Sequence, residues 1–146
     1  MHIKRSALVP YSAQQMYDLV ADIERYGEFL PWCGGARILS HEGEKLEASI
    51  VIAARGLNRA FTTANRMQSG RRIEMNLKEG PFRKLHGDWR FTPLSENACK
   101  IELDLAFEFE HSIVGRILGP VFIPFANGMV DAFHQRARQL YGEREG

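Results

Sequence analysis

The C-terminal part of the chain carries the clearest pattern of apolar and polar positions. Between Ser112 and Tyr141, apolar residues recur at steps of three and four, which places them on one face of a helix. They are Val114, Ile117, Leu118, Val121, Phe125, Met129, Phe133, Ala137 and Leu140. Because this face is bulky and apolar, the helix needs a large apolar surface to cover it.

The segment before this helix alternates strictly and predicts a strand over 101–110. One face holds Ile101, Leu103, Leu105, Phe107 and Phe109, and the other holds Glu102, Asp104, Glu108 and Glu110. Similar patterns, separated by turn residues, predict further strands over 2–9, 36–41, 46–54, 59–68, 71–78 and 82–92. Residues 93–97 are predicted to form a loop. The pattern is that of an antiparallel meander covered by helices on one face.

Two helical segments are predicted between the first and second strands. Ser12 is a suitable N-cap and Gln15 completes a capping box, so a helix is expected to start here and to stop near Tyr26. The following segment, 28–35, is apolar and aromatic but contains one proline and two glycines. It predicts a short helical turn followed by a loop.

Two prolines interrupt the C-terminal helical pattern. Pro120 and Pro124 each remove a backbone donor and clash with the preceding turn. We therefore expect a break or kink near 119–124, with a short helical piece over 112–119 and the main helix over 125–142.

Length and composition indicate one soluble domain spanning residues 1–146. The chain has 45% hydrophobic and 25% charged residues and a net charge of +1, so it lacks the global basic field of most nucleic-acid binders. Cys33 and Cys99 match no metal-ligand spacing and are expected to be reduced thiols. The sequence shows neither a signal peptide nor an apolar run long enough to span a membrane, which favours a cytoplasmic location.

No arrangement of residues specifies a reaction. His86 and Asp88 lie two apart on a strand and are expected to form a solvated pair on the outer face. The acids of the last strand are expected to be ordinary surface groups. Neither a phosphate-binding loop, a nucleophile elbow nor a metal motif is present, so we predict no catalytic residue, no metal and no required cofactor.

The inward-facing residues fit either a packed core or a binding cavity. Small side chains at Ala48, Ala54 and Gly87 favour a cavity between sheet and helix, and the aromatic loop at Phe29–Trp32 would be its lid. The predicted ligand-binding residues are Tyr26, Phe29, Leu30, Pro31, Trp32, Phe61, Met75, Leu85, Trp89, Phe91, Phe107, Phe125, Met129 and Phe133. Tyr26 or Arg83 would supply a polar contact to a ligand head group.

Several stretches together resemble a known family. They are residues 5–13, 16–17, 26–33, 80–85, 89–95, 107–109 and 127–133. The chain resembles the coenzyme-Q-binding, START-like family often labelled polyketide cyclase/dehydrase, and most closely its RatA branch of ribosome-association toxins. The resemblance covers nearly the whole chain.

The resemblance implies a fold and two functions, of which lipid binding is the main prediction and ribosome binding the alternative. A third function is kept as a second alternative, although the cyclase label of the family is an inherited one. The fold is the α+β helix-grip of START and Bet v 1-like proteins, in the order β-α-α-β6-α, with a curved antiparallel sheet of about seven strands around a long C-terminal helix. The first function is non-enzymatic binding of ubiquinone or a similar isoprenoid lipid in support of respiration. The second is binding to the large ribosomal subunit, which blocks subunit joining, and the third is a cyclase-type activity.

Ribosome binding would use basic side chains, although the balanced net charge equally fits an ordinary solvated surface. The candidate groups are Arg55, Arg59, Arg66, Arg71, Arg72, Arg83, Lys84 and Arg90.

Overall fold

The computed structural model describes residues 1–54 and 56–143. The helical elements are α1 (Ala13–Ala21), a 3-10 helix (Ile23–Glu28) and α2 (Ser112–Tyr141). The strands are β1 (His2–Val9), β2 (Cys33–Glu42), β3 (Lys45–Ala54), β4 (Leu57–Gln68), β5 (Arg72–Glu79), β6 (Phe82–Ser95) and β7 (Ala98–Phe109). This order confirms the predicted β-α-α-β6-α arrangement.

All seven strands form one antiparallel sheet in the order β1-β7-β6-β5-β4-β3-β2. The first strand pairs with the last, with Ile3 opposite Leu105, and β1 and β2 form the two edges of the sheet. The sheet is curved, and α2 lies against its concave face. The alternation that predicted the strands also gives their inner faces correctly. On β3, for example, Leu46, Ala48, Ile50 and Ile52 are all buried.

Several strand boundaries differ from prediction by one to three residues, and two of these differences coincide with shifts in register. β6 continues through Pro93 to Ser95, where a loop was expected, and Pro93 lies opposite Cys99 at a shift in register. A proline is tolerated in a strand at such an irregularity because the ladder hydrogen bond is already interrupted there. β2 begins earlier than predicted, at Cys33, and its register also shifts between Cys33 and Gly35.

The predicted capping box at the start of α1 is confirmed. The Ser12 hydroxyl accepts a hydrogen bond from the Gln15 backbone N–H at 3.0 Å, and the Gln15 side chain accepts one from the Ser12 N–H at 3.0 Å. The helix ends at Ala21, earlier than expected, and the 3-10 helix takes over up to Glu28.

The predicted break in the C-terminal helix is wrong, because α2 runs unbroken for 30 residues through Pro120 and Pro124. Both prolines are exposed, so their rings meet solvent on the outer side of the helix. Burial of Leu118, which precedes both prolines, and of Phe122, which lies between them, holds the helix against the sheet. Tertiary packing of this kind contributes more to helix stability than local propensity does.

The buried face of α2 is also offset from the predicted one. Ile117 and Leu140 are 55% and 51% exposed, although both were assigned to the inner face. The residues that are buried are Leu118, Gly119, Val121, Phe122, Ala126, Val130, Phe133 and Ala137. The helix is so apolar that two overlapping stripes along its surface could each face the sheet. The mean hydropathy of its most apolar window is 1.5, so by length and composition the helix would also fit a membrane-crossing segment. Here the sheet covers one of those stripes.

Candidate functional site

A small cavity lies between the concave face of the sheet and the middle of α2. Its volume is about 70 Å³ and its walls are largely apolar. The predicted ligand-binding residues that line it are Tyr26, Trp32, Phe61, Met75, Leu85, Trp89, Phe125 and Met129. These residues come from five elements, the 3-10 helix, β4, β5, β6 and α2, and from the loop before β2.

The other predicted ligand-binding residues do not line the cavity. Leu30, Phe91, Phe107 and Phe133 are buried in the surrounding core, each at most 3% exposed. Pro31 is exposed to solvent and Phe29 is half-buried. Most of these side chains point into the core as predicted. However, alternation along a strand or helix does not show which of the inward side chains border the cavity.

Of the predicted aromatic lid, Trp32 alone covers the cavity. Its ring stacks on Phe125 of α2 with centroids 5.7 Å apart and planes inclined by 23°. Phe29 instead packs edge-on against Phe133 at 5.3 Å, and the Arg136 guanidinium lies 4.9 Å from its ring centre. Arg136 also forms a salt bridge with Glu28 at 2.7 Å. The segment that contains Glu28 and Phe29 therefore contacts α2 beside the cavity.

Neither residue predicted to contact a ligand head group is available for that role. The Tyr26 hydroxyl donates a hydrogen bond to the Val20 carbonyl, and burial raises the pKa of this tyrosine. Arg83 is exposed, because the register of β6 shifts between Phe82 and Lys84. This bulge turns Phe82 inward, and Phe82 packs 5.1 Å from Phe122.

The polar groups that do reach the cavity come from β4. Thr63 and Asn65 both line it and are 2% and 6% exposed. In the part of the chain that the structure describes, Asn65 Oδ1 is the buried side-chain atom without a hydrogen-bond partner. The period-two pattern of β4, which also turns Phe61 and Met67 inward, is the sequence signal that could have placed both residues here.

Flexible side chains fill much of the remaining space. A Cβ atom at Gly87 would overlap the Met75 methyl group and lie 3.3 Å from Leu105 Cδ1, so Met75 folds over the glycine. Met129 contacts the cavity from α2. The free volume holds about two water molecules, yet thioether side chains can change rotamer to enlarge it. Ala48 is buried as predicted, whereas the side chain of Ala54 lies outside the described residues.

The outer face of the sheet carries a buried ion pair that the sequence did not predict. Asp88 is 7% exposed and accepts two hydrogen bonds from Arg72, at 2.8 and 3.0 Å, and one from Arg90 at 3.2 Å. The expected solvated pair of His86 and Asp88 is therefore wrong. His86 is exposed and contacts the Asn76 side chain instead.

The two cysteines are buried as free thiols in different parts of the core. Burial raises the pKa of the Cys99 thiol to about 11, which keeps it protonated and unreactive near neutral pH. Among the described residues no group of three or more His, Cys, Asp or Glu side chains is placed to hold a metal ion.

Four of the eight predicted basic residues are paired with neighbouring carboxylates, and Arg71 is exposed at the β4–β5 turn. Arg66 pairs with Glu44, and Lys84 pairs with Glu108. Arg72 and Arg90 both pair with Asp88, as described above, and Arg55 lies outside the described residues.

Three exposed arginines lack a carboxylate partner within the described chain and share one end of the molecule. Arg59 follows the β3–β4 turn, Arg83 follows the β5–β6 turn, and Arg116 lies in the first turns of α2. These turns lie at the same end because the strands alternate in direction, and β7 reaches that end where Phe109 pairs with Phe82. We call Arg59, Arg83 and Arg116 the arginine end.

Comparison with curated proteins finds similar sequences that match nearly end to end. The chain is 51% identical over 141 residues to "Ribosome association toxin RatA" of Pseudomonas aeruginosa, covering 97% of this chain and 98% of that protein. It is 47% identical over 142 residues to the Escherichia coli K12 protein of the same name, covering 97% and 90%. A more distant relative is "Coenzyme Q-binding protein COQ10 homolog B, mitochondrial" of Xenopus laevis, at 27% identity over 96% of this chain and 59% of that protein.

Solved structures show the same fold at low sequence identity. An aromatase/cyclase named Zhui from a Streptomyces species superposes with a TM-score of 0.83 at 16% identity, covering 95% of this chain and 94% of that one. A START superfamily protein from Mycobacterium smegmatis gives 0.79 at 21% identity, covering 95% and 98%. The helix-grip fold is therefore shared by proteins of different function.

The family model described as "Polyketide cyclase / dehydrase and lipid transport" matches residues 9–134. That span runs from the last residue of β1 to a point in the second half of α2, and it includes every residue that lines the cavity. The sequence match, the relatives and the fold agree, and the chain belongs to the polyketide cyclase/dehydrase and lipid transport family.

Proposed function

We propose that this protein associates with the ribosome in the cytoplasm, binds the large subunit and hinders subunit joining. The observation that carries the proposal is the identity of 51% and 47%, over almost the full length of both partners, to proteins named for ribosome association. Family membership alone would not carry it, because the same fold also occurs in an aromatase/cyclase.

The arginine end provides a surface suited to ribosomal RNA. Its three guanidinium groups are exposed and form no salt bridge with the described chain, although Arg83 lies close enough to Glu108 to help lower the pKa of that carboxyl. Arginine binds phosphate oxygens in a bidentate manner, and each phosphate contact releases counterions and adds to the salt dependence of binding. Because the net charge of the whole chain is only +1, attraction to RNA would depend on local groups such as these.

Co-sedimentation with purified large and small ribosomal subunits tests this proposal. The variant combines Arg59→Ala, Arg83→Ala and Arg116→Ala, and its matched control combines Lys45→Ala, Arg71→Ala and Arg138→Ala at the opposite end. We expect the unaltered protein and the control to sediment with large subunits at low salt and the arginine-end variant to bind weakly. The slope of log affinity against log salt should fall by up to about three in that variant.

Two results would contradict different parts of this proposal. Absence of co-sedimentation at low salt would reject ribosome association itself. Equal loss in both triple variants would keep the association but reject the arginine end as its surface. Light scattering of mixed subunits, with and without the protein, measures whether subunit joining is blocked.

Binding of a hydrophobic molecule in the cavity is a second candidate function. It is favoured by the apolar walls, which enclose the unpaired carbonyl oxygen of Asn65 and are lined by two methionines. The present volume of about 70 Å³ is too small for a ubiquinone ring, since benzene occupies an engineered cavity of roughly 150 Å³. Binding of ubiquinone or a similar isoprenoid therefore requires Met75 and Met129 to move.

We infer that this second function is non-enzymatic. Tyr26 is the titratable side chain among the described residues that line the cavity, and its raised pKa and its bond to Val20 make it a poor acid–base catalyst near neutral pH. Organic extraction of the purified protein, mass spectrometry of the extract and titration with ubiquinone test the binding. Absence of both a co-purified lipid and saturable binding would reject it.

A further inference from the structure

The β4 wall of the cavity contains a polar side chain, Asn65, whose oxygen receives no hydrogen bond from its surroundings. Asn65 is 6% exposed, and its Oδ1 atom accepts no hydrogen bond within the described chain. Thr63, 2% exposed, lies two residues away on the same face of β4 and lines the same cavity. A buried polar atom without a partner costs stability, so its presence in an otherwise apolar wall requires an explanation.

The rest of the cavity determines which chemistry could satisfy Asn65. The opposing wall is formed by Phe122, Ala126 and Met129 of α2. None of the described lining residues carries a charge, so an anionic carboxylate or phosphate, or a cation, would be desolvated without compensation. A neutral, mainly apolar molecule that brings one hydrogen-bond donor avoids this penalty.

The neighbouring side chains show how such a molecule could be accommodated. Asn65 lies opposite Met75 in the register of β4 and β5, and Met75 lies opposite Gly87 in the register of β5 and β6. The Met75 thioether folds over Gly87, where no side chain competes for the space. Movement of this flexible side chain would open volume directly beside the amide.

We propose that Asn65 is a hydrogen-bonding subsite for a neutral phenolic ring. The ring hydroxyl donates to Asn65 Oδ1, the Thr63 hydroxyl provides a second polar contact, and the ring occupies the space now filled by the end of Met75. This inference rests on the second candidate function, binding in the cavity, and does not depend on ribosome association.

Titration of the full-length protein by two-dimensional NMR, with phenol, anisole and toluene as probes, tests the subsite. The three rings are similar in shape, but phenol alone has a donor. We expect phenol to bind about tenfold more tightly than the other two, as a hydrogen bond to a buried acceptor should give. Asn65→Leu should abolish this preference and raise the melting temperature, because it removes the unsatisfied carbonyl.

A matched pair of threonines provides the control. Thr63→Val removes the hydroxyl that lines the cavity, whereas Thr62→Val removes a hydroxyl that is 6% exposed and does not line it. The first change should reduce the preference for phenol and the second should leave it unchanged. The comparison of the three probes on the unaltered protein remains decisive even if the Asn65 variant does not fold.

The titrations distinguish failure of the Asn65 subsite from failure of ligand binding in the cavity. Equal binding of phenol and toluene would overturn the subsite while leaving the cavity as an apolar ligand site. Absence of binding by all three probes, together with a crystal structure in which only water contacts Asn65, would overturn both the subsite and the binding function of the cavity.

Discussion

Two neighbouring regions of the concave face differ in how they are packed, and Trp89 marks the boundary between them. On one side Trp89 meets Phe133 edge-on at 5.4 Å and stacks on Phe91 at 6.3 Å, and Phe91 meets Tyr17 at 5.7 Å. On the other side it borders the cavity, where Asn65 has an unpaired oxygen. We call the first region the aromatic region.

This difference separates the residues that stabilise the fold from those free to serve function. Interlocking aromatic rings contribute about 0.5–1.5 kcal/mol per pair beyond the area they bury, and they are stiff. Aromatic rings also border the cavity, but two thioethers and two polar side chains share its lining, and Met75 folds over Gly87 there. A change in the aromatic region should therefore affect stability most, and a change at the cavity should affect ligand capacity most.

Truncation in the aromatic region gives the largest expected effect. Phe133 is 0% exposed and contacts Tyr26, Phe29 and Trp89. Phe133→Ala should reduce the free energy of unfolding by about 3–5 kcal/mol, because it leaves a hole that these rings cannot fill. Urea denaturation followed by circular dichroism measures the loss, and Phe133→Leu serves as the milder control. A loss below about 1 kcal/mol would show that the region is not tightly packed.

Two methionines allow the same truncation to be compared in both kinds of surroundings. Met67 is 7% exposed and packs in the core without lining the cavity, whereas Met75 is half-buried and lines it. Met67→Ala should cost about 3 kcal/mol of unfolding free energy and Met75→Ala about 1 kcal/mol, since Met75 is less enclosed.

The same pair should differ in ligand capacity. Met75→Ala enlarges the cavity and should strengthen phenol binding, while Met67→Ala should leave it unchanged. Equal stability losses and equal binding in the two variants would remove the distinction between the regions.

A methyl group added at Gly87 should close the cavity with little effect on stability. Its Cβ would collide with the movable end of Met75, which would be pushed towards the ligand space. Gly87→Ala is expected to change the unfolding free energy by less than about 1 kcal/mol, because the side chain that must yield is flexible. Phenol titration should show weakened binding, and unchanged binding would place the ligand elsewhere.

Acidification should produce the smallest effect. Burial lowers the pKa of His134, with a further contribution from Arg138, and its ring packs edge-on against Tyr11. The folded state therefore prefers neutral His134, so stability should fall as the pH drops from above the unfolded pKa of about 6.5. Urea denaturation at pH 7.5 and 5.5 should show a smaller decrease for His134→Gln than for the unaltered protein.

Two surface carboxylates also affect the pH dependence of stability, but in a more acidic range than His134. The bond from His2 lowers the pKa of Asp104, and the bond from Lys84 lowers that of Glu108. Their stabilising contribution is present above the unfolded carboxyl pKa and is lost at lower pH than the histidine effect. An equal decrease in the variant and the unaltered protein between pH 7.5 and 5.5 would contradict a role for His134.

Local sequence patterns were sufficient to predict most of the architecture. Strict alternation identified β3 and β7 and their inner faces, and Ser12 with Gln15 identified the start of α1. These features depend on neighbours within a few residues, so they can be read from the sequence directly. Eight of the eighteen residues that line the cavity were among the predicted ligand-binding residues, and those on strands and on α2 could be named because their inward phase follows from their own element.

Tertiary structure decided the features that depend on contacts between distant segments. It kept α2 continuous across Pro120 and Pro124 and chose which apolar stripe of that helix faces the sheet. It also turned Arg83 outward at a bulge and left Asn65 buried without a partner. In each case the local pattern did not settle the outcome, and the packing of strand against strand and helix against sheet selected it.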